Sequence, residues 1–317
     1  MGTPLGRGTV DRLLEATVVG SFSRLGPLVR QHSNDWSDVT SMVGRTVLVT
    51  GATSGLGRAA AARFLQLGAN VVAVGRNESA LEELRREGGE QLLAWRFDLS
   101  DLDDVDRLAH QAKHLNRLDV ILHNAGALLG SYTTTPQGLE TTFAVHVLAP
   151  YAMTRVLGRS DAARERRVIF MTSGGMYTQR FDLATLEATR EGYRGTTAYA
   201  RAKRAQVVLV AALQDREPVG GRRFYAVHPG WAATPGVASS LPAFNVLTRP
   251  LLRTPDQGAD GAVWLAATDP APVGGGLWLD REQRPVHRTK KTVTADPKAD
   301  GASLVSYLDA RLAELGF

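Results

Sequence analysis

Thr46-Val47-Leu48-Val49-Thr50, then Gly51-Ala52-Thr53-Ser54-Gly55-Leu56-Gly57, then Arg58-Ala59-Ala60-Ala61-Ala62-Arg63-Phe64-Leu65 follow one another without a break. The first string is an apolar run of β-formers, the third has a helical pattern, and glycines fill the turn between them. Glycine there permits a tight turn, close approach of the backbone to a pyrophosphate, and tight packing of helix on strand. The amides at the helix start then face the phosphates. Three glycines alone are a weak signal; with their strand before and their helix after, they read as a dinucleotide-binding loop. Its expected contacts are Thr50, Gly51, Ser54, Gly55, Leu56 and Gly57.

Outward from this loop the chain alternates. Apolar strand-like runs lie at Val71–Val74, Leu92–Phe97, Val120–Leu122, Val168–Met171 and Phe224–Val227, with helical patterns at Arg58–Leu67, Leu81–Glu87, Val105–Leu115 and Ala202–Leu213. Strands separated by helices of that length predict right-handed crossovers and a doubly wound, mostly parallel α/β sheet. Their continuous Val/Ile/Leu character predicts helices on both faces. Three segments are expected: a helical extension over residues 1–44, the nucleotide-binding domain over 45–286, and a tail over 287–317 ending in an amphipathic helix around Leu304, Leu308, Leu312 and Leu315. In the extension, Leu13, Leu14, Val18, Phe22 and Leu25 recur at helical spacing until Gly26-Pro27, where a break is expected. Docking on the domain is the expected role of this helix, with peripheral membrane contact as the alternative.

The 317 residues are 44% apolar and 22% charged, a balance that supports a large core and excludes disorder as the main state. No apolar run reaches the length of a spanning helix. The start, MGTPLGRG, lacks the order of a secretory signal, and Gly6 stands where myristoylation wants Ser or Thr. The absence of cysteine removes disulfides, thiolate metal sites and cysteine nucleophiles, and is compatible with a cytoplasmic setting. The net charge of +5 is dispersed; its densest run, Arg281 to Lys291, reads as a solvated tail, so no nucleic-acid partner is expected. Asp106, His110 and His114 share one helical face, but no metal is expected there.

The second strand ends Val74-Gly75-Arg76-Asn77, with glycine where an NAD-specific loop carries an acid. Arg76 suits a 2′-phosphate instead, which favours NADP(H) over NAD(H). Further on, Tyr199-Ala200-Arg201-Ala202-Lys203 puts a phenol and an ammonium on one helical face. A free phenol titrates near pH 10, and a neighbouring positive charge is expected to lower that value. Asn124-Ala125-Gly126 follows the fourth strand and Thr172-Ser173 the fifth.

Taken together, these strings resemble the short-chain dehydrogenase/reductase family over roughly residues 45–280. The resemblance implies a seven-stranded Rossmann sheet and hydride transfer between a nicotinamide and a carbonyl or alcohol. It implies Tyr199 as proton donor and acceptor, Lys203 as holder of the nicotinamide ribose, and Ser173 as the hydroxyl that polarises the substrate oxygen. It implies Asp98 and Leu99 on the adenine side, Asn124, Ala125 and Gly126 as supports of sheet and cofactor, and Pro229, Gly230 and Thr234, after His228, as carboxamide contacts. Strings such as Thr172–Tyr177, Tyr199–Leu209 and His228–Val237 resemble the group around member twelve of the dehydrogenase/reductase set. Self-pairing through the Tyr199 helix and residues 137–157, as a dimer or tetramer, is implied as well.

Two departures stand out. Ser173 and Tyr199 are 26 residues apart, and the insert around Phe181 resembles the retinol-dehydrogenase side of the family. His146 occupies the slot of the helical Asn that holds a relay water; an imidazole there either serves the relay or packs. Leu128, Met176, Tyr177, Phe181, Trp231 and Phe244 are candidate pocket residues for a lipophilic small molecule, or core. The rival reading is a low-activity NADP-binding regulatory or assembly protein on the same scaffold.

Overall fold

The computed structural model describes residues 7–33, 36, 39–158, 165–217, 221–233 and 248–317. Its strands are β1 (Thr46–Thr50), β2 (Asn70–Gly75), β3 (Leu92–Arg96), β4 (Val120–His123), β5 (Arg166–Met171), β6 (Arg222–Val227), β7 (Leu277–Leu279) and β8 (Glu282–Arg284). They form one sheet in the order β3-β2-β1-β4-β5-β6-β7-β8, parallel throughout except for β7 with β8. The order reverses between β1 and β4, and the crevice beyond their carboxyl ends is where such sheets hold a ligand.

The helices are α1 (Arg7–Glu15), α2 (Val18–Phe22), α3 (Leu25–Ser33), α4 (Gly55–Gln66), α5 (Glu78–Gly88), α6 (Leu102–Lys113), α7 (Thr141–Phe143), α8 (Ala149–Leu157), α9 (Gly195–Asp215), α10 (Pro255–Ala267) and α11 (Pro297–Glu314). Two cores result, one per sheet face. Val47, Val49, Ala60, Phe64, Leu81 and Ala262 fill the first; Leu48, Val105, Leu148, Phe170, Leu209 and Leu308 fill the second.

An eighth strand replaces the seven-stranded expectation. The β7–β8 hairpin turns on Asp280 and Arg281, both left-handed at φ 53° and 62°, the backbone that a two-residue primed turn requires. Sequence reading looks for Asn or Gly there and passes over an Asp-Arg pair. A left-handed L-residue costs about 1–2 kcal/mol, and buried Asp280 offsets this with hydrogen bonds from two arginines: Arg253 Nη2 at 2.9 Å, and Arg30.

The extension forms three short helices, not one. Gly26-Pro27 does not break it but lies in the first turn of α3, where proline is tolerated. The breaks come earlier, at Ala16-Thr17, with Thr17 capping α2 through the Gly20 amide at 3.0 Å, and at Ser23-Arg24. The extension is bound by buried charge. Arg30, fully buried, donates to Asp11 at 2.7 Å and Glu15 at 2.8 Å as well as to Asp280. Arg253 donates to the Ser21 carbonyl at 2.7 Å and the Phe22 carbonyl at 3.0 Å. Arg288 closes the set with a 2.6 Å bond to Glu15.

At the other end, α11 lies against α9. A Cβ at Gly301 would come within 2.8 Å of the Ala212 Cβ, so glycine sets that close approach. Leu304, Val305, Leu308 and Leu312 are buried in the same core as Phe143, Leu209 and Val210. Asp309 accepts from Tyr151 at 2.7 Å and Arg155 at 3.1 Å. The helix thus covers part of the α8–α9 face on which self-pairing was expected.

Candidate active site

Strand β1 ends in Thr50, whose hydroxyl accepts from the amides of Asn124 at 3.0 Å and Ala125 at 3.1 Å. This fastens the carboxyl ends of β1 and β4 together at the topological reversal. The Asn124 side chain donates to the carbonyls of Thr50 at 3.0 Å and Gly51 at 3.2 Å, fixing the glycine loop. Gly51 is left-handed at φ 66°, and a Cβ on Gly57 would stand 2.2 Å from the Gly51 oxygen and 2.4 Å from Asn124 Nδ2. Only glycine allows this cradle. Ser54 makes no side-chain cap on α4, which leaves the first-turn amides for an anion. These features fit a pyrophosphate.

At the ends of β2 and β3, Arg76 Nη1 lies 3.5 Å from Asp98 Oδ2 and is well exposed. Burial alone would raise the Asp98 carboxyl, but hydrogen bonds from Ser100 and the charge of Arg76 lower it. Leu99 beside it is buried. The guanidinium therefore stands beside Asp98 at the carboxyl ends of β2 and β3.

On the other side, β5 runs into Thr172-Ser173, and Ser173 opens a short 3-10 turn, Gly174–Thr178. Helix α9 brings Tyr199 and Lys203 to this turn. It is clipped to β5 twice: Thr172 Oγ1 donates to the Lys203 carbonyl at 2.9 Å, and Lys203 Nζ donates to the Met171 carbonyl at 2.7 Å. The Lys203 ammonium lies 5.5 Å from the Tyr199 ring centre. Burial pushes the Tyr199 phenol up, against a hydrogen bond with Ser173 that lowers it. Burial also pushes Lys203 down to about 7. The phenol thus stands above its ordinary range, against the expected depression, because desolvation outweighs the Ser173 bond and disfavours the charge of Tyr199 and of Lys203 alike.

His146 sits in a π-helical turn, Ala144–Leu148, between α7 and α8. Its ring stands edge-on to Tyr199, centres 5.2 Å apart. Nε2 is 2.9 Å from the Ala127 carbonyl and 3.2 Å from the Ala127 amide, so either tautomer bonds there. Nδ1 is buried with no hydrogen-bond partner. A Cβ on Gly126 would stand 2.2 Å from the His146 ring, so this glycine exists to admit the imidazole. The His146 carbonyl accepts from Gln206 at 2.8 Å.

The loop after β6 holds His228, Pro229 and Gly230. His228 Nδ1 accepts from the Gly230 amide at 3.0 Å, and a Cβ on Gly230 would meet Arg253 Nε at 2.1 Å. Thr234 and Phe244 lie outside the described residues. Met176 is buried in the core; Phe181, also largely buried there, lines a surface cavity with Gln179, Asp182, Leu183 and Arg201; Tyr177 bonds the Pro285 carbonyl at 2.9 Å and stacks on Phe22. His110 pairs with Asp106 at 3.1 Å, and among the described residues no three His, Cys, Asp or Glu gather in a metal-holding group. Sequence reading missed Phe22, Arg30, Arg253 and Asp280 as neighbours of this site. Their partners are up to 250 residues away along the chain, beyond any local pattern.

His123, His146 and His228 share one electrostatic property. Burial pushes His123 down to about 3 and holds the other two well below the ordinary histidine range. In the unfolded chain all three take up protons near pH 6.5, so below that pH the unfolded state binds more protons. Stability must then fall with pH, each histidine contributing up to about 1.4 kcal/mol per pH unit. Thermal melts are expected to show a lower midpoint at pH 5 than at pH 7, with a shallower dependence in His123→Gln. An unchanged midpoint would contradict this.

Residues 45–243 match the short chain dehydrogenase family. Human dehydrogenase/reductase SDR family member 12 is 33% identical over 274 residues, covering 84% of this chain and 86% of its own. A candidate daunorubicin C-13 ketoreductase, DnrU, from Streptomyces sp. (strain C5) is 36% identical over 284 residues, 86% of this chain and 93% of its own. The solved structure of a candidate NAD(P)-dependent gluconate 5-dehydrogenase from Beutenbergia cavernae, with bound NADP at low occupancy, superposes with a TM-score of 0.62 at 27% identity, covering 75% of this chain and 95% of that one.

Proposed function

The chain belongs to the short-chain dehydrogenase/reductase family, and on that premise we propose that it moves a hydride between NADP(H) and the carbonyl or alcohol carbon of a lipophilic small molecule. The observation that carries this reading is the meeting of Ser173, Tyr199 and Lys203 at the carboxyl end of β5, across the reversal point from the glycine cradle. When bound, the nicotinamide supplies or accepts the hydride. The chain's own residues do the rest. Ser173 Oγ donates to the substrate oxygen as negative charge develops there, and Tyr199 Oη delivers the proton. Its raised pKa keeps that proton in place at neutral pH. Lys203, which donates to the Met171 carbonyl, would hold the nicotinamide ribose of a bound cofactor, and its charge would favour the phenolate in the oxidative direction. His146, neutral and edge-on to Tyr199, supports the ring and offers Nδ1 to a relay water.

The NADP preference rests on Arg76 and on Gly75 in place of an acid. A charge-assisted phosphate bond contributes about 1.5–3 kcal/mol, so Arg76→Ala is expected to weaken NADPH binding about 10- to 100-fold in calorimetric titration and leave NADH nearly unchanged. Equal affinities for both cofactors in the parent protein would overturn the preference. A lipophilic ketone as substrate is supported by the ketoreductase likeness. The binding-protein alternative finds no support in an assembled Ser173, Tyr199 and Lys203, which a binding role does not need.

A dimer or tetramer is kept as part of the proposal; α11 covers part of the α8–α9 face, so pairing is expected on the part of that face it leaves open. Light scattering at micromolar concentration reports this directly; a monomer mass would contradict it. A cytoplasmic setting with peripheral membrane contact is kept as part of the proposal. Leu13, Val18, Val19, Leu25 and Leu28 remain exposed on the extension, and among the described residues no helix is long and apolar enough to cross a membrane.

A further inference from the structure

The extension does more than dock. Phe22, at its second helix, is only 3% exposed, and it fills the space between two elements of the candidate active site. Its ring meets His228 edge-on with centres 4.3 Å apart, and a Cβ on Gly174, the residue after Ser173, would stand 2.9 Å from both Phe22 Cε2 and His228 Nε2. The Phe22 carbonyl accepts from the Trp231 amide at 2.7 Å and from Arg253 Nε at 3.0 Å. Arg253 in turn holds the same loop through its own backbone: its amide donates to the Trp231 carbonyl at 2.7 Å, and the Ala233 amide donates to its carbonyl at 2.9 Å. On the remaining side Arg288 lies over the Phe22 ring at 4.7 Å, tied to Glu15 of the extension.

The glycine cradle lies at the end of β1 and Arg76 at the end of β2, so the adenine half of a dinucleotide runs toward β2 and β3. The reacting half must reach Tyr199 beyond β5, and so runs beside the Ser173 turn and the His228–Ala233 loop. We infer that Phe22 is a positioning residue for that reacting half: it wedges the loop after β6 against the turn after β5, and the N-terminal extension is thereby part of the active site. The inference rests on the dinucleotide reading given above. It assigns Phe22 a role on one half of the ligand only, which a merely structural residue would not have.

The test compares two ligands by calorimetry in the full chain. NADPH spans both halves; adenosine 2′,5′-bisphosphate occupies the adenine half alone. In Phe22→Ala, the affinity for NADPH is expected to fall about tenfold while that for the bisphosphate changes less than about twofold, the difference corresponding to about 1.4 kcal/mol at one end of the site. Phe22→Leu, which keeps an apolar side chain in the slot, is expected to lose at least about threefold in the same ratio, and it carries the test if the alanine variant fails to fold. Loss of both ligands in proportion, or no change in either, would overturn the inference. The readout is independent of turnover: a parent protein that binds both ligands but reduces no carbonyl would sink the enzymatic reading and still report on Phe22. A parent protein that binds neither would remove the dinucleotide reading and this inference with it.

Discussion

Tyr199→Phe is expected to lower the turnover number by about 10²- to 10⁴-fold, the range in which a positioned acid or base contributes. The substitution removes one oxygen and keeps the ring, so the edge-on contact with His146 and the packing beside Lys203 persist. Among the described residues no other group beside Tyr199 stands ready to take over the proton. Lys203 Nζ is engaged with the Met171 carbonyl, and His146 is held neutral by burial first and by the Lys203 charge second. NADPH affinity should change by less than about threefold, because the phenol acts on the reacting oxygen and not on the phosphates. Steady-state NADPH oxidation with a ketone, alongside calorimetry, separates the two effects. A fall below about tenfold would mean that another group delivers the proton.

The largest effect on stability is expected at Asp280→Ala. Its carboxylate is the shared partner of Arg30 and Arg253, whose side chains are 0% and 1% exposed. Removing one member of a buried ion pair costs about 3–5 kcal/mol, since the charges left behind stay desolvated. Relief of the left-handed backbone at residue 280 returns little, because alanine is no better suited to φ 53° than aspartate. At about 2–4 °C per kcal/mol for a domain of this size, the melting midpoint should drop by at least about 6 °C. The extension should come loose with it, because the Arg253 bonds to the Ser21 and Phe22 carbonyls depend on a guanidinium that Asp280 holds in place. Limited proteolysis should then cut before residue 45. Asp280→Asn keeps the shape without the charge and should fall between the two. A midpoint within about 2 °C of the parent would show that the arginines find other partners.

What the sequence revealed depended on locality. The glycine loop, the strand runs and the Tyr199–Lys203 pair are each written within a few residues, and each was legible because its physics is local: a turn that needs positive φ, an apolar face, a helical repeat. Asn124 was named through the family resemblance and not by local physics, because its bonds to Thr50 and Gly51 span the crevice. What stayed hidden is what the chain brings together from its two ends. Arg30 and Asp280 are 250 positions apart, and nothing local distinguishes a buried arginine from a solvated one. Phe22 read as one apolar residue in a helical repeat, because amphipathic spacing states that a face is covered and not by what. The same ambiguity left Met176 open between pocket and core, and it belongs to the core. The eighth strand escaped because its turn uses Asp-Arg stabilised from outside, where a local reading expects Asn-Gly. At His146 the identity was legible, but the π turn that aims the ring was not.

The central claim is hydride transfer at Ser173, Tyr199 and Lys203, and isotope transfer tests it most directly. The purified protein would be incubated with NADPH deuterated at the transferring position and with a panel of lipophilic ketones, and the product alcohols analysed by mass spectrometry. The account predicts an alcohol carrying the deuterium at the former carbonyl carbon, formed by the parent protein and nearly absent with Tyr199→Phe. Unlabelled ketones and unconsumed NADPH across the panel, in a protein that binds the cofactor, would contradict it.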